Sequence, residues 1–358
     1  SFWASKSRKP LHDMSCQYHL HRLHSITSTP TTATVFRSNF LNHNPLNSRV
    51  VFCAKRSVSM EGIDNGEVVV DDPASLQNKI AAIRAAGPSK LQVIADFDGT
   101  LTKYNINGQR GHTSHALLQQ GNPEYDIKRQ KLYDYYRPLE ICPIIPVDEK
   151  TKLMEEWWEK THALLVEGGL TYDDIRKSVT NARIAFREGV IELFEFLEEK
   201  GVPVLIFSAG LADIIEEVLR QKLHRSFKNI EIVSNRMVFN DNGHLVGFKG
   251  KTIHVLNKNE HALDMAAPLH DAVGNADVPV IDFAAMKKRT NVLLLGDHTG
   301  DLGMSDGLTY ETRISVGFLN DKVEESLDSY RKSFDVVYPN DASMLGVVKL
   351  VSQLIHDE

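Results

Sequence analysis

Cysteine is scarce in this chain, with three in 358 residues, at Cys16, Cys53 and Cys142. Thiols so few and so scattered make neither a disulfide framework nor a zinc site, which fits a reducing compartment. Apolar runs are short as well. None approaches the ~18 residues of a membrane-spanning helix, so no membrane partner is expected. Internal repeats are absent. Acid is nearly missing from residues 1–60, where Asp13 stands alone against eight Lys and Arg, a net charge of +7. The whole chain is at −6, so residues 61–358 stand at −13, with 33 basic and 46 acidic residues. An acidic body argues against nonspecific nucleic-acid binding, and no nucleic-acid partner is expected.

The basic head is rich in Ser, Thr, His and Asn, as in Ser25-Ile26-Thr27-Ser28-Thr29-Pro30-Thr31-Thr32. It shows little periodicity and reads as a disordered segment over 1–70. Basic, hydroxyl-rich and acid-poor is also the composition of an organelle transit peptide. The expected location is cytoplasmic, or chloroplast or mitochondrion if residues 1–60 are such a peptide. The chain starts at Ser1 rather than Met, and Met14 and Met60 bracket the head's interior. A fragment or an over-extended gene reading is therefore the competing expectation for this segment.

The remainder has the apolar content of a globular protein. Its most informative stretch is Asp96-Phe97-Asp98-Gly99-Thr100, which follows the apolar run Leu91–Ala95. The run reads as a buried strand, so two carboxylates stand where a strand ends and a loop begins. Strand residues i and i+2 face the same side, so Asp96 and Asp98 can converge at the carboxyl edge of a sheet. Open α/β sheets bind their ligands at that edge. Two carboxylates that close repel, which calls for a shared proton or a cation, and Mg²⁺ suits oxygen ligands.

Two later runs repeat the pattern. Val202–Phe207 ends at Ser208-Ala209-Gly210, before a helical spacing of Ile214, Ile215, Val218 and Leu219. Ser208 is expected at a helix N-terminus, as a helix cap, an anion ligand or both. Asn291–Leu295 ends at Gly296-Asp297, with Asp301 four residues on. Gly296 permits close backbone approach, Asp297 stands where a second-strand metal ligand is needed, and Asp301 is placed to orient Lys258 or a ligand water. Lys258 alone reads as a surface lysine; its company of acids gives it weight as a phosphate-binding cation.

The order Asp-x-Asp, Ser, Lys, Gly-Asp-x₃-Asp resembles the haloacid dehalogenase-like phosphatases. Phe207–Gly210, Gly247–Gly250, Asn257-Lys258, Gly296 through Gly307, Trp157-Trp158, Lys160-Thr161-His162 and Gly317–Asp321 resemble the cytosolic type III 5′-nucleotidase family. That family acts on pyrimidine and N7-methylguanosine monophosphates. The resemblance implies an α/β fold, a Rossmann-like parallel sheet with an inserted helical cap. The core would be 71–113 with 188–358, and the cap 114–187. The intervening spans Pro123–Tyr136, Asp148–Glu167 and Tyr172–Ala182 are helical in spacing. It implies a Mg²⁺-dependent 5′-nucleotidase, expected as a monomer, with a nucleoside monophosphate as its substrate.

The implied roles are specific. Asp96 is the nucleophile and Asp98 the acid and base. Asp96, Asp297 and the Asp98 backbone carbonyl hold Mg²⁺, and Asp301 supports from behind. Ser208, the Ala209 amide and Lys258 bind phosphate. Glu140 reads the base, although Tyr135–Glu140 is one residue longer than the usual spacing. Thr161 keeps a hydroxyl where the family has Ser, and Trp158 stacks on the base. Trp157 reads as packing, and His162 and His298 have no role. Gly99 stands where animal members carry a larger residue, which predicts a roomier mouth. His298-Thr299 replaces a more usual Ser-Gln pair. Two rival readings remain, a phosphatase for another small phosphomonoester and a catalytically silent nucleotide binder.

Overall fold

The computed structural model describes residues 68–117, 122–142, 144–259, 266–268 and 288–355. Residues 1–67, with the targeting and disorder expected of the basic head, lie outside the described residues, whereas Val69, within the span expected to be disordered, pairs with Val337. Helix α1 (Pro73–Ala86) starts where the Asp72 carboxylate accepts the Ser75 amide and stops at Gly87. The strands follow as β1 (Leu91–Ala95), β2 (Asn105–Ile106), β3 (Gln109–Arg110), β4 (Val204–Leu211), β5 (Ile230–Asn235), β6 (Met237–Phe239), β7 (Leu245–Phe248), β8 (Ala266–Pro268), β9 (Asn291–Gly296), β10 (Thr312–Leu319) and β11 (Val336–Pro339). Between β3 and β4 come α2 (Pro123–Ile141), α3 (Val147–Glu167), α4 (Tyr172–Thr180) and α5 (Val190–Glu199). Helix α6 (Ala212–Leu223) follows β4, α7 (Val323–Ser333) follows β10, and α8 (Leu345–Ile355) closes the described chain.

Seven strands form one sheet in the order β11-β10-β9-β1-β4-β5-β8. The first six are parallel, and β8 adds an antiparallel edge. The alternation of strand residues builds both faces. Leu91, Val93 and Ala95 join the larger apolar cluster with α1, α5, α6 and α8, and Ile94 joins the smaller one, against which Leu327 and Tyr330 of α7 pack. Chain order reverses at β1, which lies between β9 and β4. That reversal is the switch point where open sheets gather their ligands. The register pairs Ala95 with Leu295 and with Ile206. Asp96, Asp297 and Ser208 are therefore brought to one end of three adjacent strands.

Some elements depart from expectation. Strand β4 does not stop at Phe207 but runs to Leu211, with an irregularity between the two. Helix α6 begins at Ala212 without a side-chain cap, so Ser208 is not its N-cap. Helix α2 runs to Ile141 rather than Tyr136, with Pro138 inside it. The β2–β3 hairpin was not anticipated, although Asn107-Gly108 is a strong hairpin signal, and both residues have positive φ. The hairpin expected over Met237–Phe248 is β6–β7. Among the described residues no helix is long and apolar enough to cross a membrane.

Candidate active site

The site starts from β1. Asp96 follows its last residue, with its amide donating to the Leu295 carbonyl of β9. Its carboxylate takes the Lys258 ammonium at 2.6 Å on Oδ1 and the Thr100 hydroxyl at 3.1 Å on Oδ2. Lys258 also donates to Asp301 Oδ1 at 2.7 Å. This lysine is buried, not at the surface. Its loop is fixed in two places. Asn257 accepts the His254 amide and donates to the Thr252 carbonyl. Asn235, at the end of β5, bonds both the amide and the carbonyl of Ile253.

Asp301 is spent within the protein. Its Oδ2 accepts the amides of Asp297 at 3.1 Å and His298 at 2.9 Å. His298 Nδ1 accepts from Gly300, so this histidine closes a reciprocal cap that holds Asp301 in place. Gly296 admits the arrangement, since a Cβ there would stand 2.6 Å from that of Asp301. Asp297 accepts the Asn320 amide at 3.2 Å, and its backbone carbonyl accepts the Tyr330 hydroxyl. Carboxylate oxygens of Asp96, Asp297 and Asp301 lie within 4.8 Å of one another.

The charges explain the titration. Burial pushes the Asp96 carboxyl up to about 7, with the Asp301 charge adding and Lys258 opposing. Burial and the charges of Asp96 and Asp301 lift Asp297 well above the carboxylate range. Burial alone would lower Lys258, but the Asp301 and Asp96 charges outweigh it and keep the ammonium protonated. Lys258 bonds two of these three acids, and the cluster is one that could hold a metal ion.

Asp98 points elsewhere. Its carboxylate accepts the Ser114 amide at 2.7 Å and the Ser114 hydroxyl at 2.5 Å. Burial raises its pKa, and these two bonds hold it down. Ser208 is buried and accepts the Gly210 amide at 3.0 Å, leaving its own hydrogen for a ligand. The segment 208–210 is tied down from β5, where Ser234 and Asn235 donate to the Gly210 carbonyl and Asn235 to that of Ala209.

A family model described as pyrimidine 5′-nucleotidase (UMPH-1) matches residues 99–355. The chain belongs to the pyrimidine 5′-nucleotidase family. It is 41% identical over 290 residues to the 7-methylguanosine phosphate-specific 5′-nucleotidase A of Xenopus laevis, covering 79% of this chain and 94% of that one. The Homo sapiens 7-methylguanosine phosphate-specific 5′-nucleotidase is 37% identical over 292 residues, covering 80% and 92%. Among solved structures, cytosolic 5′-nucleotidase IIIB bound to cytidine superposes with a TM-score of 0.66 at 30% identity, covering 80% of this chain and 93% of that one.

In this 5′-nucleotidase the remaining expected residues lie on the inserted helices. Glu140, near the end of α2, is ion-paired with Arg137 one turn earlier. Thr161 on α3 is buried, and its hydroxyl has no partner among the described residues. Trp158 packs edge-on to His115 at 4.2 Å and stacks with Trp157, which in turn stacks on Tyr136. His162 lies flat on Phe248 of β7 at 3.7 Å, and burial takes its pKa down to about 4. It is a neutral packing group.

Four residues near the acids carried no recognised role in the sequence. Thr100 and Ser114 hold the two aspartates. Asn320 reaches Asp297 and the Gly99 carbonyl. Arg187 is buried and donates to the carbonyls of Gly99, Thr100 and Ala342. Thr100 and Asn320 stood within quoted motifs; the other two gave no local signal. Gly99 is also reinterpreted. At φ +80°, its Cβ would meet Asp297 Oδ2 at 2.3 Å. The space beside it is filled by Asp297 and Asn320 rather than open as a wider mouth.

Proposed function

We propose that the protein hydrolyses nucleoside 5′-monophosphates with Mg²⁺ in two steps, through an aspartyl-phosphate on Asp96. The observation that carries this reading is the buried Asp96–Lys258–Asp301 chain beside Asp297, at the switch point of the sheet. In the first step an Asp96 oxygen bonds to phosphorus. The P–O5′ bond breaks, its electron pair stays on O5′, and Asp98 supplies the proton. In the second step Asp98 takes a proton from water, whose oxygen attacks phosphorus and releases Asp96 and inorganic phosphate.

Lys258, the Ser208 hydroxyl and the Ala209 amide would bind the phosphoryl oxygens, where each donor is worth on the order of 10²–10³ in turnover. The acid cluster fits Mg²⁺, a hard ion that prefers oxygen. Asp96, Asp297 and the Asp98 carbonyl would hold it, and Asp301, whose oxygens are already bonded, would orient the site. Bound there, the ion supplies the positive charge that lets a carboxylate approach a phosphate dianion.

The core is taken as 71–113 with 188–358 and the cap as 114–187. Within the cap, Glu140 would accept from an exocyclic amine of the base, Thr161 would bond a base edge, and Trp158 would stack on it. The proposed substrates are CMP, UMP and N7-methyl-GMP. The names of the similar proteins support both base classes and a cytosolic location. The cation of a methylated guanine gains further from an aromatic face.

The test is phosphate release with Mg²⁺ from CMP, UMP, AMP, GMP, N7-methyl-GMP and phosphoserine, with Asp96→Asn as blank. Turnover of CMP, UMP or N7-methyl-GMP is expected. Activity on phosphoserine alone would remove the base-reading role of the cap. No Asp96-dependent release would reinstate the silent binder.

A further inference from the structure

Asp98 must be held in place for both steps, and the structure shows what holds it. Ser114 is fully buried and gives two bonds to the one carboxylate, amide to Oδ1 and hydroxyl to Oδ2. A hydroxyl both donates and accepts, so it stays bonded whether or not Asp98 carries the proton. The fit is tight on the far side as well. A Cβ at Gly210 would stand 2.0 Å from Ser114 Oγ and 3.2 Å from Ser208 Oγ. Gly210 thus leaves the room in which Ser114 sits.

The next residue faces the inserted helices. The His115 ring meets Trp158 of α3 edge-on at 4.2 Å, with 76° between the planes. Its backbone carbonyl accepts from Arg129 of α2 at 3.4 Å. Two consecutive residues therefore grip two parts of the molecule, Ser114 the Asp98 carboxylate and His115 the helix that carries Trp158 and Thr161.

We propose that Ser114 is a positioning residue for Asp98, and that His115 ties this clamp to the cap. The proposal rests on the acid and base role of Asp98 given above. Its consequence is that cap geometry reaches the proton-transfer step, so the base is read in turnover as well as in binding. Positioning of this kind is worth about 10- to 100-fold in rate.

The experiment is single-turnover leaving-group release with Mg²⁺ from CMP or N7-methyl-GMP and from p-nitrophenyl phosphate. A nucleoside needs a proton on O5′ as it leaves, and p-nitrophenolate does not. Ser114→Ala is expected to slow nucleoside release about 30-fold and p-nitrophenolate release by less than about 3-fold. Persistence of the second reaction shows that the variant is folded. His115→Leu should give a smaller loss of the same kind, which vanishes once Ser114 is Ala. Equal slowing of both substrates by Ser114→Ala, or none, overturns the positioning role. A His115→Leu effect that persists in the Ser114→Ala background overturns the link to the cap. A wild-type protein without Asp96-dependent release would instead overturn the underlying mechanism.

Discussion

At the sheet edge, each carboxylate of the acid cluster has its partner. Asp96 has Lys258 and Thr100, Asp301 has Lys258 and two amides, and Asp297 has Asn320. The inserted helices and the loop before them differ. Thr161 Oγ1 and His115 Nε2 are buried without a partner among the described residues. An unpaired buried polar atom costs about 1–3 kcal/mol, so such atoms are kept where something else can satisfy them. The contrast teaches a division of labour. Orphaned atoms also occur in the sheet, at Asn291 and Tyr338, so the lesson is narrower: on the proposed reading the strand ends fix the reacting groups in advance, and Thr161 keeps a hydroxyl for the base.

The sharpest way to break that division is to remove one member from each side. Asp96→Asn should lower phosphate release by at least about 10⁴-fold on every substrate, since the proposed nucleophile is common to all. Lys258→Met should cost about 10²–10³-fold, again regardless of the base, measured as kcat on CMP and on p-nitrophenyl phosphate. Thr161→Ala and Glu140→Gln should act differently. They are expected to change the kcat/KM ratio between N7-methyl-GMP and CMP by about 10-fold and to leave p-nitrophenyl phosphate turnover within about 2-fold. A uniform loss across substrates from the cap variants would erase the distinction.

A smaller effect follows from the acid cluster. Asp96 has its folded-state pKa raised to about 7 from the ordinary carboxylate value. Its contribution to stability is fully present below about pH 4 and is lost as pH rises through 7. The metal-free protein should therefore lose on the order of a few kcal/mol from this group across that window. Thermal unfolding at pH 5 and pH 7.5 checks it, with the larger Mg²⁺-induced rise in Tm expected at pH 7.5. A Mg²⁺ effect equal at both pH values would separate the ion from these carboxylates.

The sequence showed the sheet edge better than it showed what surrounds it, for a physical reason. Leu91–Ala95 and Asn291–Leu295 are buried on both faces, so their apolar runs mark the strands and the acids mark their ends. Ser208 was misplaced because a polar residue after an apolar run reads as a strand end, whereas β4 continues through it to Leu211. The helical spacing was followed only to Tyr136, yet α2 passes through Pro138 and carries Glu140. Ser114 and Arg187 have no local signature, and the motif that holds Asn320 does not show what it touches. Ser114 bonds a residue 16 positions away, Arg187 one 88 away and Asn320 one 221 away. Such partners become neighbours only when the sheet assembles.

The most direct test of the account is to catch the phosphorylated aspartate. Enzyme turning over ³²P-labelled CMP or N7-methyl-GMP with Mg²⁺ would be quenched in acid, digested and sequenced by mass spectrometry. The account predicts one phosphoryl group on the peptide that contains Asp96, absent in Asp96→Asn. Phosphate release at full rate with label on another residue, or with none on any, would contradict it.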